Sequence, residues 1–409
     1  MGEGPAARAA PGDVARGRPP QRRAGAGGRS AMRALHVITG LGVGGAERQL
    51  RLLLRHLPVE CDVVTLTNPG AVAEELRNDG VRVTHLGMRG NRDLSAVGRL
   101  ARLIREGRYD LVHTHLYRAC VYGRVAARLA GARATVATEH SLGRAEIEGR
   151  PLTRSVRALY LSTERLGAAT VAVSSTVAGR LRDWGVPADR IRLVPNGIDA
   201  DRFRFDARRR AQVRAALDVP ADAFVVGGVG RLVPGKRFDV LIRAVAALPE
   251  ARLLLAGDGP EAGALRTLAL RLGAVDRVRF LGECDEDGEG PVPGVPALLS
   301  ALDVFVSTSR EESFGLAAVE ALAAGLPVLH DACPAIDDLP AAHAPEATRI
   351  AGSPEELTAR LRQRIQTPTD RRPPPRAVGH YDIRRSSERL MDVYAYALDT
   401  APPNRRAFS

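Results

Sequence analysis

A chain of 409 residues exceeds what one ordinary core organises and points to two domains of roughly 150–200 residues each. Hydrophobic residues make up 45% and aromatics only 4%, so the core rests on Ala, Val and Leu, a mixture that suits buried parallel strands. The formal charge of +12 is carried by arginine, with Lys236 the single lysine among 59 basic residues; no helix carries a basic stripe, which excludes a nucleic-acid binder and leaves a solvated basic surface or a small anionic partner.

Part of the arginine and alanine bias is the codon usage of a GC-rich genome. Cys61, Cys120, Cys284 and Cys333 are scattered without CxxC spacing and read as reduced, mostly buried thiols rather than a disulfide frame or zinc site. No apolar run approaches the ~18 residues of a spanning helix. Residues 1–31 are Gly, Ala, Arg and Pro without apolar periodicity, so they are expected to be a disordered extension rather than a secretory signal. Met32 follows directly, which makes it a second candidate start.

From there strand-like runs alternate with helical ones. The strands are Ala34–Thr39, Asp62–Leu66, Val81–Leu86, Leu111–His115, Ala134–Thr138, Thr170–Ser174 and Ile191–Val194. Helices are expected at Ala46–Leu57, Leu94–Arg105, Tyr122–Leu129 and Thr153–Leu166. A turn at Val194-Pro195-Asn196-Gly197 and a charged, Arg-rich stretch over 201–223 interrupt the series. A second series runs through Phe224–Val229, Arg252–Ala256, Val278–Leu281, Val304–Thr308 and Val328–His330. Asp285–Gly294 is acidic and Gly/Pro-rich and reads as a loop, and a last helix is expected near Ile383–Ala397. Such alternation implies α/β architecture with two doubly wound parallel sheets.

The expected organisation is an extension over 1–31, an N-terminal Rossmann-like domain over 32–195, and a linker region over 196–223. A C-terminal Rossmann-like domain over 224–380 and a helix with tail over 381–409 complete it.

Three glycine-bearing turns carry chemistry. Gly40-Leu41-Gly42-Val43-Gly44-Gly45-Ala46-Glu47 joins the first strand to its helix, where backbone amides can approach an anion. Its spacing departs from GxGxxG and no acidic residue closes the next strand, which disfavours a nicotinamide dinucleotide. Gly230-Arg231-Leu232-Val233-Pro234-Gly235-Lys236-Arg237 follows the first strand of the second series, where ligands of doubly wound sheets sit. Two cations on so short a loop suit a diphosphate. A lone lysine there suggests a need for a compact ammonium rather than a planar guanidinium.

The third turn runs from Arg310 through Glu311, Glu312, Ser313, Phe314, Gly315 and Leu316 into a helix bearing Glu320 and ending near Gly325. A carboxylate on a face of Ala, Leu and Val needs a partner. Eight helical residues rise about 12 Å, whereas a retaining glycosidase pair stands about 5–5.5 Å apart. Glu312 and Glu320 therefore cannot act on one bond as nucleophile and acid, but they can hold two ends of one long ligand.

The run from Glu312-Ser313-Phe314-Gly315 to Glu320, followed by Gly325-Leu326-Pro327-Val328, resembles the hallmark of the retaining glycosyltransferases of GT-B fold, family four. Gly-Gly-Ala-Glu at 44–47, Thr138-Glu139-His140, Val194 to Asp199, Gly230 to Lys236, Gly257-Asp258-Gly259-Pro260 and Phe280-Leu281-Gly282 stand in the order that family shows. The resemblance covers about residues 33–398. It implies two facing Rossmann-like domains with an interdomain cleft, the N-terminal one choosing the acceptor and the C-terminal one holding a nucleotide-sugar donor.

It also implies roles. Gly44 and Gly45 would offer amides near diphosphate and sugar, and Arg231 and Lys236 would neutralise the leaving nucleoside diphosphate. Glu312 would contact donor-sugar hydroxyls, the amides of Phe314, Gly315 and Leu316 would line sugar and phosphate, and Glu320 would bind the ribose. His140 would sit near the anomeric carbon, or else be a structural histidine. His113 and His115 share one strand face; without a third ligand nearby in sequence they read as a pair lining the cleft rather than a metal site. Two departures stand out: Leu329-His330-Asp331-Ala332-Cys333-Pro334 replaces a Gly-Gly turn common in relatives, and Arg237 stands where glycine is frequent.

The implied reaction is transfer of a glycosyl group from a nucleoside-diphosphate sugar to an acceptor hydroxyl with retention, by front-face attack, with no metal and no cofactor. The acceptor is expected to be a small molecule or a lipid-linked glycan, in envelope or exopolysaccharide assembly or in specialised metabolism. The expected location is the cytoplasm, free or at the inner face of the membrane. A sugar-nucleotide epimerase of the same fold and a non-catalytic subunit of a glycan-assembly complex are the alternatives.

Overall fold

The computed structural model describes residues 32–148, 150–284, 293–367 and 370–401. The extension 1–31 and residues 285–292 of the acidic loop lie outside the described residues.

The first half builds a seven-stranded, all-parallel sheet from β1 (Arg33–Ile38), β2 (Glu60–Thr65), β3 (Arg82–His85), β4 (Leu111–His115), β5 (Ala134–Glu139), β8 (Ala169–Ala172) and β9 (Ile191–Leu193), ordered β3-β2-β1-β4-β5-β8-β9. Two short strands, β6 (Glu146–Ile147) and β7 (Arg150–Pro151), form a small antiparallel ribbon between β5 and β8. The second half builds a six-stranded parallel sheet from β10 (Phe224–Val229), β11 (Ala251–Ala256), β12 (Val278–Gly282), β13 (Val304–Ser307), β14 (Val328–His330) and β15 (Ala347–Arg349). Its order is β12-β11-β10-β13-β14-β15.

Both sheets reverse direction of winding beside their first strand, between β1 and β4 and between β10 and β13. Such switch points open a crevice beyond the carboxyl ends of the strands. Central strands are buried on both faces and read as runs of Val, Leu and Ala, as in β11 with Leu253, Leu254 and Leu255 fully buried. The ribbon and β15 were not among the expected strands. Each is only two or three residues long, below what alternation can reveal.

The Arg-rich stretch after the turn is structured. Its helix Ala207–Ala216 turns Arg210 and Arg214 onto Asp303, at 2.7 and 2.8 Å. Arg214 also donates to the backbone oxygens of Ala301 and Ala223. Guanidinium groups thus satisfy helix-end and loop carbonyls that would otherwise be orphaned.

The C-terminal helix Ile383–Asp399 packs on the N-terminal sheet, where Tyr394 and Ala397 join Ala34, Leu111 and Val136 in one buried cluster. The chain therefore passes between the halves twice. The two passages touch where Ile198 N–H donates to Tyr381 O at 2.8 Å and Ile383 N–H to Ile198 O at 3.1 Å. All four cysteines are free thiols, three of them buried. Among the described residues no helix is long and apolar enough to cross a membrane.

Candidate active site

A cleft of about 960 Å³ opens where the two switch points face each other. It is lined by Gly44, Gly45, His140, Arg231, Lys236, Glu312, Phe314, Gly315, Leu316 and Glu320, the residues expected to hold or act on a donor. Residues separated by nearly 280 positions in the chain meet here because each follows the carboxyl end of a central strand.

Two helices aim their N-termini into this space, Gly45–His56 from the first domain and Leu316–Ala323 from the second. Neither has a side-chain cap, so first-turn amides are available to a ligand anion. They approach closely: a methyl group on Gly45 would stand 3.8 Å from Leu316 Cδ1. Glycine is required where the second helix begins, since Gly315 sits at φ 101° against the sulfur of Cys333, whereas a side chain on Gly44 would meet only the movable end of the Glu47 side chain.

Cations and carboxylates lie side by side in the cleft. Lys236 ends a short 3-10 turn, Pro234–Lys236, which is pinned by the Thr308 hydroxyl donating to Lys236 O and Arg237 O at 2.8 and 2.9 Å. Its ammonium donates to Glu312 Oε1. Arg231 is exposed at the cleft wall, where its charge acts on Glu47 of the opposite domain. Burial raises the Glu47 carboxyl above its usual range, while its own backbone N–H and Arg231 pull it back. Glu47 stands in the first glycine turn, but only the folded chain brings it to Arg231. Carboxylates thus lie beside both cations and a helix N-terminus, the places where phosphate oxygens are best held.

The neighbouring acid, Glu311, turns the other way. It accepts from Arg144 N–H at 2.6 Å and pairs with Arg180 at 2.8 Å, tying the second domain to the first. Ser175 adds contacts to Asp338 at 2.5 and 3.0 Å, and Arg48 donates to Cys284 O at 2.6 Å.

The two departures from the family pattern are accommodated outside the cleft lining. Arg237 adopts φ 51°, the conformation that favours glycine, and donates to Gly352 O at 2.9 Å. In the segment that replaces the Gly-Gly turn, Asp331 N–H and Ala332 N–H donate to Ser307 O and Ser309 O, and Cys333 packs beneath Gly315.

One expectation is corrected. His113 and His115 do not line the cleft: both are buried, bonded to Tyr394 and Thr138 and to His36 and His140 respectively. Their third neighbour, His36, is remote in sequence, but β1 pairs with β4 so that His36 lies opposite His113. Among the described residues His36, His113 and His115 are the one group whose potential ligand atoms come within 4.8 Å of each other.

Comparison with known proteins bears on the family and the fold. Residues 43–202 match the model of Glycosyltransferase Family 4 and residues 209–373 that of Glycosyl transferases group 1. The D-inositol 3-phosphate glycosyltransferase of Salinispora tropica is 37% identical over 248 residues, which cover 54% of this chain and 50% of that protein. The match thus spans only half the length of that relative. The enzyme of the same name from Thermomonospora curvata is 30% identical over 331 residues, covering 72% of this chain and 73% of its own. Among solved structures, Anabaena Alr3699/HepE in complex with UDP-glucose superimposes with a TM-score of 0.77 at 24% identity, covering 89% of this chain and 99% of that one.

Proposed function

The chain belongs to the family 4, group 1 glycosyltransferases, and from that premise we propose that it transfers a sugar from a nucleoside diphosphate to an acceptor hydroxyl with retention of anomeric configuration. The observation that carries this reading is the pairing of Lys236 with Glu312 beside Arg231 and two uncapped helix N-termini in one interdomain cleft.

In this reading a donor diphosphate takes the place of the carboxylates beside Arg231, Lys236 and the helix amides. Glu312 is released to accept hydrogen bonds from the donor sugar, and Glu320, within its helix, holds the ribose. Phe314, Gly315 and Leu316 offer backbone amides to sugar and phosphate, and Gly44 and Gly45 do so from the opposite domain. No side chain is assigned as nucleophile. Catalysis rests on positioning and on charge stabilisation of the leaving diphosphate, which itself helps to take the acceptor proton. Arg231 and Lys236 supply the charge that a divalent metal supplies elsewhere, so no metal is required. The N-terminal half of the cleft takes the acceptor, and the relatives named for D-inositol 3-phosphate make a phosphorylated polyol the first candidate to try.

The test is direct. The protein is incubated with a panel of UDP-, GDP- and ADP-sugars and polyol, sugar and lipid-linked acceptors, and products are read by mass and by the anomeric proton coupling. A glycoside of the donor's own anomeric configuration is expected. Inverted product would overturn retention, and conversion of the nucleotide sugar without acceptor would favour an epimerase.

A further inference from the structure

Four histidines, a tyrosine and a threonine form one continuous hydrogen-bonded chain that reaches the cleft only at its end. Thr138 Oγ1 lies 2.7 Å from His113 Nε2, and His113 Nδ1 lies 2.8 Å from the Tyr394 hydroxyl. That hydroxyl is 3.4 Å from His36 Nε2, and His36 Nδ1 is 3.0 Å from His115 Nε2. His115 Nδ1 is 3.2 Å from His140 Nε2. His140 lines the cleft, and its Nδ1 has no partner among the described residues. The backbone register explains the alignment: His36 opposes His113 and His115 opposes Thr138 on adjacent parallel strands, while the C-terminal helix delivers Tyr394.

A neutral imidazole has one N–H and one bare nitrogen. With both nitrogens of each inner ring engaged, the chain can run in one direction or the other throughout, or His113 and His36 can both donate to Tyr394, which leaves the Tyr394 O–H without an acceptor among the described residues. We propose that it runs toward the cleft, as a relay that holds all four histidines in the Nδ1–H form and makes His140 Nδ1–H a hydrogen-bond donor to a substrate oxygen. His115, His36, Tyr394, His113 and Thr138 are then positioning residues for His140. The substrate contact rests on the glycosyl-transfer reading, whereas the polarity rests on the geometry alone.

Counting donors separates the two directions. Running toward the cleft, Thr138 O–H, His113 N–H, Tyr394 O–H, His36 N–H and His115 N–H each find an acceptor. The single unmet donor is His140 Nδ1–H, on the ring that lines the cleft. Running the other way, the Thr138 hydroxyl is left inside the protein without an acceptor among the described residues, and His140 Nδ1 is unmet as well. A buried O–H without a partner is costly, so this direction is disfavoured.

Burial keeps all four rings neutral, lowering His36 to about 3 and His140 to about 4, with His113 and His115 well below the usual range. A ring so weakly basic serves better as a hydrogen-bond donor than as a general base. The hydrogen bonds also account for the closeness of His36, His113 and His115, without a metal ion.

Nitrogen-15 NMR of the full chain, labelled at histidine and held near neutral pH, reads the tautomers directly. Four rings protonated at Nδ1 and bare at Nε2 are expected. Tyr394→Phe cuts the chain in its middle: His113 should stay Nδ1–H, still fed by Thr138, while His36, His115 and His140 lose their bias and become mixed. Thr138→Val removes the terminal donor, and all four should become mixed. Both variants should lower kcat about ten-fold with the donor KM little changed. Val393→Ala, a cavity in the same helix, should lower stability and leave the tautomers as in the wild type.

Nε2–H on all four rings would show that the Thr138 hydroxyl is served from the small cavity bounded by His115, Thr138 and His140, and would overturn the proposal. So would unchanged His36 and His140 tautomers in Tyr394→Phe, or stoichiometric zinc binding to these rings. Failure to transfer any sugar, with the expected tautomers intact, would count against the glycosyltransferase reading and leave the polarity standing.

Discussion

Lys236 and Glu312 are ion-paired in the cleft, although one follows β10 and the other follows β13. Their side chains are 27% and 15% exposed, so the pair is neither a free surface contact nor a sealed one. Lys236→Met should lower kcat about 10²–10³-fold, as loss of a donor to developing charge does elsewhere. Lys236→Arg should recover only part of that, since a planar fork does not replace a compact ammonium. Glu312→Gln should lower kcat to an intermediate degree through sugar orientation. Without ligand, breaking the pair should cost about 0.5–1 kcal/mol. Steady-state kinetics and thermal melts check these outcomes, and near wild-type turnover in all three variants would place the donor elsewhere.

Glu320 is expected to act on binding alone. A ribose contact is made equally in ground and transition states, so Glu320→Gln should raise the donor KM and leave kcat nearly unchanged. A fall in kcat with constant KM would assign it a different part of the donor.

Glu311 differs in kind from its neighbour Glu312. Its carboxylate holds Arg144 N–H and Arg180 of the opposite domain. Glu311→Ala should loosen closure and shift kcat and KM together by a few-fold. Small-angle scattering with and without UDP reports the change independently, and an unaltered closed form would dismiss this role.

Turnover should survive EDTA, because Arg231 and Lys236 carry the charge beside the leaving diphosphate. Activity that vanishes with chelator and returns with magnesium or manganese would sink that part of the mechanism.

The buried histidines make the fold acid-sensitive. No carboxylate bonds to His36, His113, His115 or His140 among the described residues. Each titrates near 6.5 when unfolded and, through burial, well below that when folded. Between about pH 6.5 and 4 the unfolded chain therefore binds more protons, and stability falls as acid is added. The loss approaches about 1.4 kcal/mol per histidine per pH unit. Tm should be flat from about pH 8 to 7 and drop steeply below about 6. A Tm unchanged down to about pH 5 would mean that the fold tolerates imidazolium there.

Alternating runs of Val, Leu and Ala with helical periodicity made both sheets legible in advance, because burial of parallel strands on two faces leaves an unbroken apolar signal. Glycine spacing did the same for the cleft: the turns at Gly44, Gly230 and Gly315 lie where strands end and helices begin, a local matter of backbone conformation. Tertiary structure alone decided which side chains meet across those turns. Glu47 comes under Arg231, Glu312 takes Lys236, and Glu311 turns away to Arg180, because adjacent residues on a loop point in different directions and their partners belong to other strands. The histidine pair was misplaced for the same reason. Its environment depends on His36 from a neighbouring strand and Tyr394 from a helix 281 positions beyond His113, and the strand order and chain crossover that bring them together leave no mark on the local sequence.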